Sequence, residues 1–147
     1  MDSKYTITKC VPSSADMDFM EDRIYEHNST RTGRTDGALF GFFIRGEGGV
    51  ITAGCTGWTW AGACEITTLW VHPSLRGQGI GKELLASAEA EATAKGCEVI
   101  LLSSYDFQAP PFYQKMGYEL IFKLEDFPPG HRNNYLIKRL PKTKTGS

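Results

Sequence analysis

Apolar and polar residues alternate over residues 4–9, with Tyr5 and Ile7 set against Lys4, Thr6 and Thr8, and this pattern predicts an opening strand. The period then changes. Ser13 with Asp16 three residues on resembles a helix-capping box, and Met17, Met20 and Ile24 mark one helical face opposite Asp18, Asp22 and Glu26. Residues 27–33 are polar and read as a loop. Residues 39–45 and 50–60 are apolar, aromatic and β-branched, and they flank Gly46-Glu47-Gly48-Gly49, a strong hairpin signal. A second turn at Ala61-Gly62 leads into residues 64–71, so a three-stranded antiparallel meander is expected.

The most regular helical pattern follows. Ile80, Leu84, Leu85, Ala88 and Ala92 recur at helical spacing, Lys82, Glu89, Glu91 and Lys95 are left for solvent, and Gly96 suits the position just past the end. Residues 98–103 form a short, nearly continuous apolar run, as expected of a buried strand reached by a crossover helix. Pro110-Pro111 opens a short helix over 112–116 that stops at Gly117. Residues 118–123 and 135–139 read as closing strands around an excursion over 126–134. The whole predicts one mixed α/β (α+β) domain over 1–140 with a largely antiparallel central sheet. Residues 141–147 read as a flexible tail, with Gly146-Ser147 as a cloning scar.

Composition narrows the function classes. A net charge of −1 with 22% charged residues, over 147 residues, supplies no basic field for nucleic acid or an anionic membrane. Cys10, Cys55, Cys64 and Cys97 are far apart with no C-x-x-C pair, which reads as reduced thiols rather than a disulfide frame. The first residues, MDSKYTITK, carry neither an apolar leader nor a spanning segment, so a soluble, cytoplasmic protein is expected. No His/Cys cluster has metal-ligand spacing, and no metal is expected.

The chemistry concentrates in residues 69–85, LWVHPSLRGQGIGKELL. An apolar strand runs into a turn with Arg76, Gly77, Gly79 and Gly81, and a helix starts at once. Such a helix start is a socket for an anion, because its first N–H groups lack intrahelical acceptors and its dipole favours negative charge. A Walker phosphate loop would need Gly where Arg76 stands and Ser or Thr where Glu83 stands. A dinucleotide fingerprint starting at Gly77 would need Gly in place of Lys82, and it belongs at the start of a parallel βαβ unit. What remains is R-x-x-G-x-G between a strand and a helix.

That pattern, ITTLWVHPSLRGQGIG, with APPFYQKMGY downstream, resembles the acyl-CoA site of the GNAT superfamily of N-acetyltransferases. The tail FKLEDFPPGHRNNYLIKRL is similar to a small bacterial-type subgroup of that family. The resemblance implies a GNAT-like acyl-CoA N-acyltransferase fold whose parallel fourth and fifth strands splay apart to admit the pantetheine arm. It implies acetyl-CoA as donor, with CoA as product. Leu69, Trp70 and Val71 would hold the pantetheine and acetyl groups, and Arg76, Gly77, Gln78, Gly79, Ile80, Gly81 and Lys82 would wrap the pyrophosphate. Ser104, Asp106 and Phe112 would complete that wall. At Asp106 the family carries Asn, and an ionised Asp accepts but does not donate, so Ser103, Ser104 or Gln108 could take over that contact.

Transfer to an amine poses two proton problems: the attacking nitrogen must lose a proton, and the leaving thiolate needs one. The resemblance assigns the acid to Tyr113 and the base, acting through water, to Glu65. Strand alternation is expected to put Glu65, Thr67 and Leu69 on one face. For the acceptor, the family architecture nominates Tyr25, His27, Asn28, Trp58, Trp60 and His131. The reading is direct transfer, with no acyl-cysteine, to a primary amine of a small molecule. The alternatives are a protein lysine or N-terminal amine as acceptor, or a non-catalytic acyl-CoA sensor. Dimers are frequent in the family, so a homodimer is compatible with this reading.

Overall fold

The computed structural model of the chain describes residues 4–142, so most of the expected tail, Gly146-Ser147 included, lies outside the described residues. The chain divides into two compact units, the residues before Asp36 and those from Asp36 on.

The first unit holds one helix, α1 (Ser14–Thr32). Ser13 caps it as expected, its hydroxyl oxygen accepting the Asp16 N–H at 3.1 Å. The helix runs straight through the segment read as a loop. Thr30 donates its hydroxyl to the Glu26 carbonyl (2.9 Å) and Thr32 donates to that of Asn28 (2.8 Å), so these polar side chains bond the helix instead of competing with it. Nothing ends the helix until Gly33, whose left-handed backbone (φ 71°) lets its N–H reach the Ser29 carbonyl at 2.8 Å. The predicted opening strand is not formed: residues 4–13 are neither strand nor helix. Alternation is only a pattern. A strand needs a ladder, residues 4–13 form none among the described residues, and Ile7 is 98% exposed.

The second unit is a six-stranded sheet of β1 (Ala38–Arg45), β2 (Ile51–Trp60), β3 (Ala63–Val71), β4 (Val99–Tyr105), β5 (Glu119–Glu125) and β6 (Arg132–Arg139). Their order is β1-β2-β3-β4-β6-β5, and only the β3–β4 pair is parallel. With no strand at residues 4–9, the parallel pair is third and fourth in the chain. β6 begins at Arg132, earlier than its apolar run suggested, because Asn133 and Asn134 pair with both β4 and β5 and are buried there.

Between the parallel strands runs α2 (Ile80–Ala94), followed after β4 by the six-residue helix α3 (Pro110–Lys115). α2 ends in a Schellman motif. The Gly96 N–H reaches the Thr93 carbonyl (3.0 Å) and the Cys97 N–H reaches that of Ala92 (2.9 Å). Its buried face, Leu84, Leu85, Ala88 and Ala92, packs on one face of the sheet against Ala53, Cys55, Cys64, Ile66, Ile100, Leu102 and Leu136. Fully burying a side chain such as Leu85 stabilises the fold by about 1.5–3 kcal/mol. One expected solvent residue is not there: the Glu89 side chain is only 17% exposed and meets Lys138 and Tyr118, because its partners come from distant parts of the chain.

β3 carries a bulge. Thr56 of β2 pairs with Thr68 while Gly57 pairs with Ile66, which leaves Thr67 as the extra residue. The alternation therefore flips. Cys64 and Ile66 face the core before Thr67, and Leu69 and Val71 pack against it afterwards. The expectation that Glu65, Thr67 and Leu69 share a face is thus corrected, and Glu65 stands on the opposite face from Leu69. The bulge also brings two backbones close together. A Cβ on Gly57 would overlap the Glu65 carbonyl oxygen and come within 2.5 Å of the Phe40 ring. Gly57→Ala is expected to destabilise the protein by about 1–3 kcal/mol, as overpacking does. It should lower the urea midpoint without changing the slope, and an unchanged midpoint would contradict the close approach.

Candidate active site

β3 and β4 pair over only three residues, Ala63–Val99, Cys64–Ile100 and Glu65–Leu101. Beyond them β3 continues to Val71 with β2 alone as its partner, and β4 continues to Tyr105 paired only with β6. The facing edges are left open, and a cleft of about 800 Å³ lies between them. Its walls are Thr67 to Val71 of β3, the glycine turn and start of α2, Ser103 and Ser104 of β4, and Phe112 and Tyr113 of α3.

The glycine turn closes one end. His72 caps the short turn Pro73–Leu75, its ring nitrogen accepting the Ser74 N–H at 3.1 Å. Arg76 folds back and donates its Nε–H to the Val71 carbonyl at 3.0 Å. Gly77 (φ 78°) and Gly79 (φ 80°) adopt left-handed backbone that other residues rarely tolerate. Gly79 is the N-cap of α2 and has no side chain to satisfy the first N–H groups of the helix. Gly81 differs from both. Its φ is not positive, and a Cβ there would make only ordinary contacts, 3.7 Å from Phe112 and 3.9 Å from Val71. Neither backbone strain nor packing explains this glycine. The free amides, the helix dipole, Arg76 and Lys82 together make this end of the cleft attractive to an anion.

α3 presents Tyr113 to the cleft. Pro110 at its first turn costs nothing, since that N–H would be unpaired in any case. The Tyr113 ring is 9% exposed and meets Phe112 and Tyr118 edge-on, at 5.2 and 5.9 Å between centroids. Its hydroxyl bonds no described residue. Burial pushes its pKa up to about 12, so the phenol keeps its proton throughout the neutral range. Burial likewise lifts the Cys55 thiol to about 11 and Cys64 to about 12, and raises Cys97. A thiol held protonated is a poor nucleophile.

Of the residues assigned to the donor, Gln78 and Asp106 do not line the cleft, and the others do. Asp106 is turned to His131, Oδ1 to Nδ1 at 3.1 Å. Ser104 is buried and its hydroxyl oxygen accepts the Ala109 N–H at 3.3 Å, while the Gln108 Oε1 accepts the Tyr105 N–H at 2.7 Å. Both side chains thus shape the loop after β4, and Ser103 is the more open of the two serines. Glu65 is half-buried at the apex where the strands part, outside the lining of the cleft and opposite Trp58 in the β2–β3 register. Trp60 lies at the end of β2, and Tyr25, His27 and Asn28 belong to α1 in the first unit. The sequence reading missed Thr67, Thr68, Leu75 and Phe107. Phe107 is 59% exposed, stacks on Tyr105 at 5.2 Å with 2° between planes, and meets the His131 ring edge-on at 5.0 Å. Phe127 adds a third nearly parallel ring, 6.5 Å from Tyr105.

Comparison with known proteins agrees with the fold. The sequence profile described as "Acetyltransferase (GNAT) family" matches residues 5–118. A blasticidin-S acetyltransferase of Streptomyces morookaense is 38% identical over 106 residues, 69% of this chain and 76% of that protein. A crystal structure of an acetyltransferase from Bacillus cereus superposes with a TM-score of 0.73 at 31% identity, covering 91% of this chain and 98% of that one. An aminoglycoside 6'-N-acetyltransferase complexed with coenzyme A shares the fold, with a TM-score of 0.62 at 17% identity, over 80% of this chain and 79% of its own. No helix among the described residues is long and apolar enough to cross a membrane.

The thiol environments make a direct prediction. Iodoacetamide at neutral pH should modify exposed Cys10 and spare Cys55, Cys64 and Cys97 until the protein is unfolded. Mass spectrometry of digests would show it, and rapid labelling of Cys55 in the folded protein would contradict the burial described.

Proposed function

The chain belongs to the GNAT family of acetyltransferases, and on that premise we propose that it moves an acetyl group from acetyl-CoA directly to a primary amine of a small molecule. The observation that carries this reading is the cleft between β3 and β4, with an amide-rich helix start at one end and in its wall the Tyr113 hydroxyl, which bonds no described residue. The residues fit the donor. Ile80, Gly81 and Lys82 would give backbone N–H groups to the pyrophosphate, with Arg76 and Lys82 adding charge. The open edge of β3 from Thr67 to Val71 would take the amide groups of the pantetheine.

The acceptor must attack as a free amine. Its proton passes by way of water to Glu65, the nitrogen bonds to the acetyl carbon, and the carbon–sulfur bond breaks toward thiolate. Tyr113 meets that sulfur. A thiol ordinarily titrates near about 8.5, well below the phenol at about 12. Tyr113 therefore stabilises the developing thiolate chiefly by donating a hydrogen bond from its protonated phenol. The protonated thiols of Cys55, Cys64 and Cys97 are poor candidates for an acyl-enzyme. Support for a small acceptor comes from the relative named for blasticidin S and from the exposed ring of Phe107, beside His131, at the cleft.

A panel of amines that includes blasticidin S, assayed with acetyl-CoA by release of free thiol, tests the activity, and no turnover with any amine would favour a sensor. Tyr113→Phe is expected to lower kcat by about 100-fold, within the range for a lost hydrogen bond to developing negative charge, while the KM for acetyl-CoA changes little. In the wild type Tyr113 should cause no alkaline loss of rate below about pH 11, because its folded pKa is raised to about 12. Unaltered kcat in the variant would remove Tyr113 from the mechanism. Gly81→Ala separates binding from folding. Alanine favours a helix over glycine by about 1 kcal/mol, so Tm should hold or rise while calorimetry shows at least tenfold weaker CoA binding. Full affinity would contradict the tight approach of the phosphates to the helix start.

A further inference from the structure

We propose that Lys138, Glu89 and Tyr118 form a positioning relay that fixes the orientation of the Tyr113 phenol. The inference rests on the reading of Tyr113 as the group that meets the departing sulfur, and it explains what holds that group in place.

α3 has only six residues, too few to persist without tertiary support. Its support comes from β6. The Lys138 stem passes over Gly117, its Cε 3.4 Å from where a Cβ would stand, and its ammonium donates to the Met116 carbonyl at the end of α3 at 2.9 Å. The same ammonium meets Glu89 Oε1 of α2 at 3.2 Å, and Glu89 Oε2 accepts the Tyr118 hydroxyl at 2.9 Å. Tyr118 then touches Tyr113 twice, its N–H bonded to the Tyr113 carbonyl at 3.0 Å and its ring edge-on at 5.9 Å. The relay thus ties the helix that starts at the anion socket to the helix that carries the phenol. The Tyr113 hydroxyl has no described partner of its own, so the packing of its neighbours sets its direction.

A merely structural role is the alternative, and stability arguments do not favour it. The Lys138 and Glu89 side chains are 27% and 17% exposed, and a partly buried pair of this kind gains little net stability over apolar packing. What it can supply is a single geometry, and misplacement of a reacting group by about 1 Å can cost up to about 100-fold in rate.

The test is a double-mutant cycle with acetyl-CoA and the fastest amine of the panel. Tyr118→Phe removes one oxygen and keeps the ring. It is expected to lower kcat by about tenfold with the KM for acetyl-CoA unchanged, and by less than about twofold when Tyr113 is already Phe. Equal losses in both backgrounds, or no loss in either, would overturn the relay. No loss from Tyr113→Phe alone would instead overturn the role of Tyr113. A second readout needs no acceptor. In protein labelled with 3-fluorotyrosine, Lys138→Met should shift or broaden the fluorine resonance of Tyr113, assigned by its disappearance in Tyr113→Phe. An unmoved resonance would overturn the relay regardless of turnover.

Discussion

The cleft depends on a parallel pairing that stops after three residues. Glu65 and Leu101 are the last partners of β3 and β4, and beyond them each strand is held on its outer side only. Continued pairing would fill the space where the donor is proposed to lie. Two features keep the strands apart. The bulge at Thr67 re-aims β3 just past the last shared pair, its hydroxyl donating to the Thr56 carbonyl at 3.2 Å, and β6 holds β4 through Tyr105. The open edges then offer the amides that a peptide-like pantetheine arm needs, in the manner of a strand added to a sheet.

The two ends of the cleft are built by different means. On the β3 side two left-handed glycines and an uncapped helix start supply the anion socket. On the β4 side a short helix that cannot stand alone supplies the phenol, and α2 and β6 secure it through Glu89 and Lys138. The pKa directions fit this division of labour. Burial keeps the phenol and the neighbouring thiols protonated, which suits a hydrogen-bond donor and disfavours a covalent acyl-cysteine.

How much of this was legible in the sequence follows the range of the forces involved. The glycine turn, the α2 periodicity, the hairpin at Gly46–Gly49 and the Pro-opened α3 are local, and their residues announced them. The bulge carries no such mark, since Thr67 is one of two adjacent threonines in an ordinary strand composition, and it reversed the face expected for Leu69 relative to Glu65. Glu89 read as a solvent residue because Lys138, which meets it, lies 49 residues away. The rings of Tyr105, at the end of β4, and of Phe107 and Phe127, from two separate connections, meet only in the fold. The polar residues of 27–32 misled for the opposite reason: their hydroxyls serve the helix in a way that composition does not reveal.

The central claim is direct transfer within a complex that holds donor and acceptor together in the cleft between β3 and β4. Initial rates measured while both acetyl-CoA and the amine are varied test it most directly, combined with a search for radiolabel on protein incubated with labelled acetyl-CoA alone. Direct transfer gives intersecting double-reciprocal lines and leaves no label on the protein. Parallel lines with one acetyl equivalent bound to the chain would contradict it.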